Sequence, residues 1–305
     1  MRFGFNASWQ SYPKKVSYAA EAGAEVIRFP FSWNLIEPSR GQRDWTVYDN
    51  LYKEATSLGI KLILTPADAP CWARPSLPCQ APPYVGWRPD QAFLGEFAEF
   101  VGAAVERYPD AVALEVWNEP NLHPFFDPAP NTAEYAAILR AGYIGSKAAR
   151  PELPVLFGGL AGVEANQAGK SINYVRFLRA VNKLGGVPYY DAVALHYYSG
   201  VASGRRMLSR IKTELMRAGV PRRDLWLTET GYSVTQLGSE RAQADALERT
   251  YDVMSRTPGL RSVVVHKMFD SSLAANTLSS DMGLVDGAGR PKLSFEMFAS
   301  KLGNA

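Results

Sequence analysis

No stretch of this 305-residue chain runs for about 18 residues without a polar interruption, so nothing in it reads as a membrane-spanning helix. An excess of either charge is also missing: 33 Lys and Arg stand against 30 Asp and Glu, a formal net charge of +3, with no long run of one sign. That imbalance is too small to point to nucleic acid or an anionic membrane as a partner. Met1 is followed almost at once by a strand-like "RFGFNAS", without the basic start and apolar core of a secretory leader. The expectation is a water-soluble monomer.

Cysteine is scarce. Cys71 and Cys79 are the two present, and both lie in the Pro-rich segment "PCWARPSLPCQAPP". Without a second CxxC or a nearby histidine the spacing is a poor zinc site. A disulfide would pin a small loop that has little core of its own, and would place the protein in an oxidising, secreted or extracytoplasmic setting; two buried thiols are the alternative. A Gly-rich phosphate-binding turn is absent as well, which argues against an open doubly wound sheet.

What is present is a rhythm. Eight short apolar or β-branched runs alternate with longer amphipathic stretches: Arg2 to Ser8, Glu25 to Ser32, Lys61 to Ala67, Val112 to Glu119, Pro154 to Ala161, Ala192 to Ser199, Asp224 to Gly231 and Ser262 to Asp270. Helical patterns fill the gaps, such as "PDQAFLGEFAEFVGAAVERY" and the stretch after a cap candidate at Asn131. Eight strand-helix repeats in this length predict an α/β fold of the closed (β/α)₈ TIM-barrel type. No linker divides residues 1–305, so one catalytic domain is expected, with an elaborated loop at 68–89.

Such a barrel works at the C-terminal ends of its strands. There the second run carries Arg28, the fourth Asn118 and Glu119, the sixth His196, Tyr197 and Tyr198, the seventh Glu229, and the eighth His266, Lys267 and Asp270. Two glutamates on separate strands are what glycosidic cleavage needs, one to protonate the departing oxygen and one to attack or stabilise the anomeric carbon. Arg28 and Tyr198 are candidate donors to the second carboxylate, and a guanidinium buried beside Val26 and Ile27 needs a partner, for which Glu229 is the candidate and Glu119 or a sugar hydroxyl the alternatives. Either motif alone could be a turn with a solvated glutamate. Their combination at the ends of the fourth and seventh strands is what favours chemistry.

"WNEP" at Trp117 to Pro120 closely resembles the acid/base motif of clan A glycoside hydrolases, and "LTETG" resembles that clan's nucleophile motif on the seventh strand. The likeness continues in "IRFPFSWNLIEPSRGQRDWTVYD", in "HYY" and in "MGLVDGAGRPKLSFEMF", which are similar to families 5 and 39 and to related exopolysaccharide hydrolases. The resemblance implies a retaining glycosidase on an oligo- or polysaccharide, with Glu119 as general acid/base, Glu229 as nucleophile and Asn118 on the sugar 2-hydroxyl. It further implies that Arg28 and Tyr198 tune Glu229, that His196 lines the site, and that no metal or organic cofactor is required.

One departure is "VHKMFD", which stands where clan members often carry a tryptophan; Lys267 or His266 there could bind a charged sugar. Loop aromatics, Trp33 and Trp72 with Tyr84, Trp87, Phe125 and Phe126, are expected to form subsites, which favours endo over exo cleavage. Two other classes stay open: a catalytically silent glycan-binding barrel, and an isomerase or lyase holding a divalent metal with Glu119, Glu229 and His196, although no dense Asp/His cluster supports the latter.

Overall fold

Each of the eight apolar runs forms a strand: β1 (Arg2–Asn6), β2 (Val26–Ser32), β3 (Lys61–Ala67), β4 (Ala111–Asn118), β5 (Val155–Ala161), β6 (Ala192–Tyr197), β7 (Asp224–Thr230) and β8 (Leu260–Val265). The computed structural model describes residues 1–7, 15–79, 86–271 and 280–303; Ser8 and Tyr84 lie outside them. All neighbouring strands pair in parallel and β1 pairs with β8, closing the barrel.

The helices follow in the order α1 (Lys15–Glu21), α2 (Trp33–Ile36), α3 (Thr46–Ser57), α4 (Leu94–Arg107) and α5 (Thr132–Ala149). They continue with α6 (Tyr174–Val181), α7 (Val201–Arg217), α8 (Val234–Leu237), α9 (Glu240–Ser255) and α10 (Leu293–Leu302). Asn131 caps α5 as the sequence predicts, its Oδ1 accepting from the amides of Ala133 at 3.0 Å and Glu134 at 3.2 Å. Helices α4 and α5 approach closely because Gly145 has no side chain; a Cβ there would fall 2.1 Å from the Ala98 carbonyl oxygen. Among the described residues no helix is long and apolar enough to cross a membrane.

Side chains alternate along each strand, and the two sets enter two different cores. One set, including Phe29, Leu64, Leu114, Phe157, Val193 and Val265, packs outward against the helices. The other points into the barrel, where Val26, Ile63, Ala113, Ala194, Trp226 and Val264 form a separate apolar plug. Two residues further along five of those strands stand Arg28, Thr65, Glu115, His196 and Thr228, all buried. The barrel interior thus changes from apolar to polar, with three ionisable groups, within one step of two residues toward the strands' C-terminal ends.

The loop after β3 is built as its Pro-rich sequence suggests. Cys71 and Cys79 form a disulfide with Cα atoms 5.3 Å apart. The guanidinium of Arg74 lies 4.8 Å above the Trp87 ring, and Asp68 accepts from the Gly86 amide at 2.7 Å.

Candidate active site

The segment from Trp117 to Glu119 leaves β4 with φ of 77° at Trp117 and 43° at Glu119. A bulky residue at positive φ costs on the order of 1–3 kcal/mol and persists where surroundings hold it. Trp117 is fully buried and its indole donates to the Phe125 carbonyl at 2.8 Å, which fixes it. Strand pairing does the rest: Asn118 lies opposite Gly159 of β5, and the Glu119 amide donates to the Gly159 carbonyl at 3.0 Å.

Arg28, 1% exposed, is the hub. Its Nη2 donates to Glu115 at 2.6 Å and to Asn118 Oδ1 at 2.8 Å, its Nε to Glu115, and its Nη1 to Glu229 Oε1 at 2.7 Å. Glu229 therefore is a partner of Arg28, as the sequence suggests, but it shares the guanidinium with Glu115. Glu229 also accepts from Asn6 Nδ2 at 2.8 Å and from the Tyr198 hydroxyl at 2.5 Å. His266 Nδ1 stands 3.2 Å from Glu229 Oε2.

His196, fully buried, bridges the carboxylates. Its Nδ1 is 2.9 Å from Glu119 Oε1 and 3.6 Å from Glu229 Oε2, while its Nε2 faces Glu115 at 3.7 Å. Register places it there, since His196 pairs with Glu229 across β6 and β7. Room for the ring comes from Gly159, where a Cβ would sit 2.1 Å from His196 Nε2. Carboxylate oxygens of Glu119 and Glu229 lie within 4.8 Å of each other and of a His196 nitrogen.

The electrostatics of the two glutamates differ by their donors. Burial alone would push the Glu229 carboxyl up, but the charges of His196 and Arg28, with His266 beside it, outweigh burial and hold it well below the usual carboxylate range. Glu115 is lowered in the same way, burial being overcome by Arg28 and His196. Burial opposes the charge on His196, yet Glu229, Glu115 and Glu119 together raise it to about 9, so at neutral pH the ring is charged and its Nδ1 donates to Glu119. Glu119 has His196 as its one hydrogen-bond partner among the described side chains, against three donors on Glu229.

A raised histidine is also a statement about stability. Its folded pKa of about 9 stands above the ordinary 6.5, so the stabilisation is fully present below about pH 6.5 and fades as pH rises through 9. Urea unfolding of the wild type between pH 6 and 10 should show this decline, on the order of 3 kcal/mol, and a His196→Gln variant should lack it. Parallel profiles for the two proteins would contradict the charged assignment.

Among the described residues, Glu119, His196 and Glu229 are also close enough together to hold a metal ion. Arg28 Nη1 already lies 2.7 Å from Glu229 Oε1, a fixed positive charge that opposes a cation there.

Residues 2–137 match the cellulase family, glycosyl hydrolase family 5. A family 39 glycoside hydrolase from Bacteroides cellulosilyticus WH2 shares the architecture at a TM-score of 0.77 and 21% identity, with 98% of this chain aligned to 62% of that one. The chain resembles the clan A glycoside hydrolases. A monomeric β-xylosidase from Caulobacter crescentus CB15 aligns at a TM-score of 0.70 and 20% identity, over 93% of this chain and 61% of that one. An exo-β-1,4-mannosidase from Opitutaceae bacterium strain TAV5 aligns at 0.67 and 17%, over 99% of this chain and 59% of its own. The chain thus spans about three fifths of the length of these three proteins. No curated protein sequence matches it.

Within this clan A-like barrel, Arg28, Asn118, Glu119, His196, Tyr198 and Glu229 come together as the sequence predicts. Of the expected sugar contacts, Trp33 and Phe126 are corrected, while Trp72 and Lys267 are held by other groups of the protein. Trp33 is fully buried, stacked on Phe100 with its indole donating to Glu37, so it offers no face to a sugar. Trp72 is half-buried, held edge-on by Trp33 with its indole on the Glu37 carbonyl. Lys267 is buried and donates to Ser271 at 2.8 Å, while its neighbour His266 is the residue at Glu229. Phe126 is likewise core.

Sequence reasoning missed Glu115 and Asn6. A period of two along β4 from the inward Ala113 would have found Glu115, and the same count from Gly4 leads to Asn6.

Proposed function

We propose that this protein is a retaining glycosidase that cleaves an oligo- or polysaccharide by double displacement. The observation that carries the reading is the pair of carboxylates on β4 and β7 with oxygens within 4.8 Å of each other, one heavily donated to and one not. Retaining enzymes need about 5–5.5 Å between carboxyls, and inverting ones about 6.5–9.5 Å to admit a water.

Glu229, kept ionised by Arg28 and His196, attacks the anomeric carbon. The bond to the leaving oxygen breaks as Glu119 transfers its proton there, giving a glycosyl ester on Glu229. Glu119, now a carboxylate 2.9 Å from His196 Nδ1, takes a proton from water, and the resulting hydroxide equivalent displaces Glu229 and restores both groups. Arg28 holds Asn118 Oδ1 at 2.8 Å, which turns the amide nitrogen of Asn118 free for a sugar hydroxyl. Binding there counts toward rate to the extent that it tightens in the transition state.

Endo action is supported by a space of about 230 Å³ beside His196 and Tyr198, lined also by Ser199, Ser203 and Arg206, which could take a sugar next to the one being cleaved. Exo action is the second reading, favoured by the burial of Trp33, which removes an expected subsite platform. Action as a monomer, and folding in an oxidising compartment where Cys71 and Cys79 pair, complete the proposal.

A 2-fluoro-glycoside inactivator followed by peptide mass spectrometry should place one sugar on Glu229, and product NMR should show retained anomeric configuration. Label on another residue, or inverted product, would overturn the mechanism.

A further inference from the structure

The near-neutral charge of the chain conceals a sharp segregation. Between Glu164 and Arg223 eleven Lys and Arg stand against three Asp and Glu, whereas the remainder of the chain holds 22 against 27. In the fold this segment is α6, β6 and α7 with their loops. Arg176, Arg179 and Lys183 recur at i, i+3 and i+7 along α6 and the irregular turn Asn182–Gly186 that prolongs it. Arg206, Arg210 and Arg217 recur at i, i+4 and i+11 along α7, about 16 Å of helix. Each spacing keeps its charges on one helix face.

The α6 stripe and the lower part of the α7 stripe line opposite walls of one groove, with Glu164 and Glu214 among them. Its main part, about 440 Å³, is lined by Arg176 and Arg179 from α6 and by Arg210 and Arg217 from α7. A second part of about 340 Å³ shares Arg179 and Arg217 and reaches Lys183. At the other end, Glu164 borders both the main groove and the space beside His196 and Tyr198, which Arg206 also lines.

Internal pairing accounts for part of this charge. Buried Glu214 holds Arg179 at 2.7 Å and also pairs with Arg217, and Glu164 holds Arg210 at 2.6 Å. Arg176, Lys183 and Arg206 are exposed and have no carboxylate partner among the described residues. Arg176 and Lys183 therefore leave the α6 wall of the groove with unbalanced positive charge, which internal pairing does not explain. An anionic ligand between them would, and the guanidinium fork matches a carboxylate in shape and hydrogen bonding.

We infer that the groove between α6 and α7 binds a carboxylate-bearing polysaccharide, taking up the sugars that extend past the catalytic glutamates. The inference deepens the glycosidase reading and rests on it. A glycan is favoured over nucleic acid because the groove meets the space beside His196 and Tyr198 at Glu164. The substrate class is thereby an acidic, uronate-containing polymer.

The test compares oligogalacturonate with cello-oligosaccharide of equal length, by calorimetric titration against the wild type and an Arg176→Gln/Lys183→Gln variant. Both side chains line the groove and neither lines the space beside His196 and Tyr198. The uronate should bind, the neutral oligomer much more weakly, and affinity should fall about tenfold from 50 to 300 mM NaCl. The variant should lose about tenfold in uronate affinity at low salt while hydrolysing small 4-nitrophenyl β-glycosides as the wild type does. Equal binding by both proteins, or no binding, would sink the groove. Duplex DNA of matched charge binding as tightly through the same side chains would reduce it to a general polyanion surface. A protein that hydrolyses no glycoside defeats the glycosidase reading instead, and the titration still reports on the groove.

Discussion

Replacing Glu229 with Gln should lower kcat by at least about 10⁴-fold while leaving the protein folded, because the nucleophile is lost but the amide fits the same space. The local bonds allow this: Asn6 and Arg28 donate to one oxygen, which Gln retains, and the Tyr198 hydroxyl on the other can turn to accept. The thermal midpoint should fall, since Arg28 and His196 lose a counter-charge, but by less than in Arg28→Met, because Glu115 still pairs with the guanidinium. Glu229→Ala adds a diagnostic, since azide can enter the vacated volume and attack the anomeric carbon in a single displacement. The expected product is a glycosyl azide of inverted configuration, identified by NMR. A Glu229→Gln enzyme with a tenth of wild-type kcat would remove Glu229 from the chemistry.

Arg28→Met should be the most destabilising substitution in the site. Glu115 and Glu229 would remain buried without their shared guanidinium, and breaking a buried pair from one side costs about 3–5 kcal/mol. The pH dependence has a definite sign. In the wild type both carboxyls are held below their ordinary values, so their contribution is present above the usual carboxylate range and is lost as pH falls through the folded values. Without Arg28 both pKa values rise, and the deficit relative to wild type should be larger at pH 7 than at pH 5. Urea unfolding at the two pH values reads this directly. The acid limb of any residual activity should also move to higher pH. A variant as stable as wild type at pH 7 would show that His196 and His266 suffice to neutralise the pair.

The barrel was legible because its signal is repeated: eight apolar runs separated by helical patterns leave few other architectures. Glu119 and Glu229 were legible because each ends a run, where an ionisable side chain contrasts with its neighbours. Glu115 was not, since it sits mid-strand among Leu114, Val116 and Trp117 and reads as one polar interruption. Its meaning depends on Arg28, 87 positions earlier in the chain, entering the same layer of the barrel. The aromatics failed for the opposite reason. Trp33 and Phe126 stand in loop-like sequence, yet those loops fold back and bury them against Phe100 and Trp117. Composition identifies a loop, but only its path decides which face of a ring meets water.

Closure of the ring through β1 and β8 has a consequence for how this molecule can fail. Glu229 on β7 depends on Asn6 of β1, Arg28 of β2, Tyr198 after β6 and His266 after β8, so its ionisation is underwritten from both sides of that seam. If the seam parted, even with every helix intact, Asn6 and Arg28 would leave together and the nucleophile would lose two of its donors. The charge on one carboxylate is therefore a sensor of whether the circle is complete, and function should disappear at the first breach rather than in proportion to unfolding.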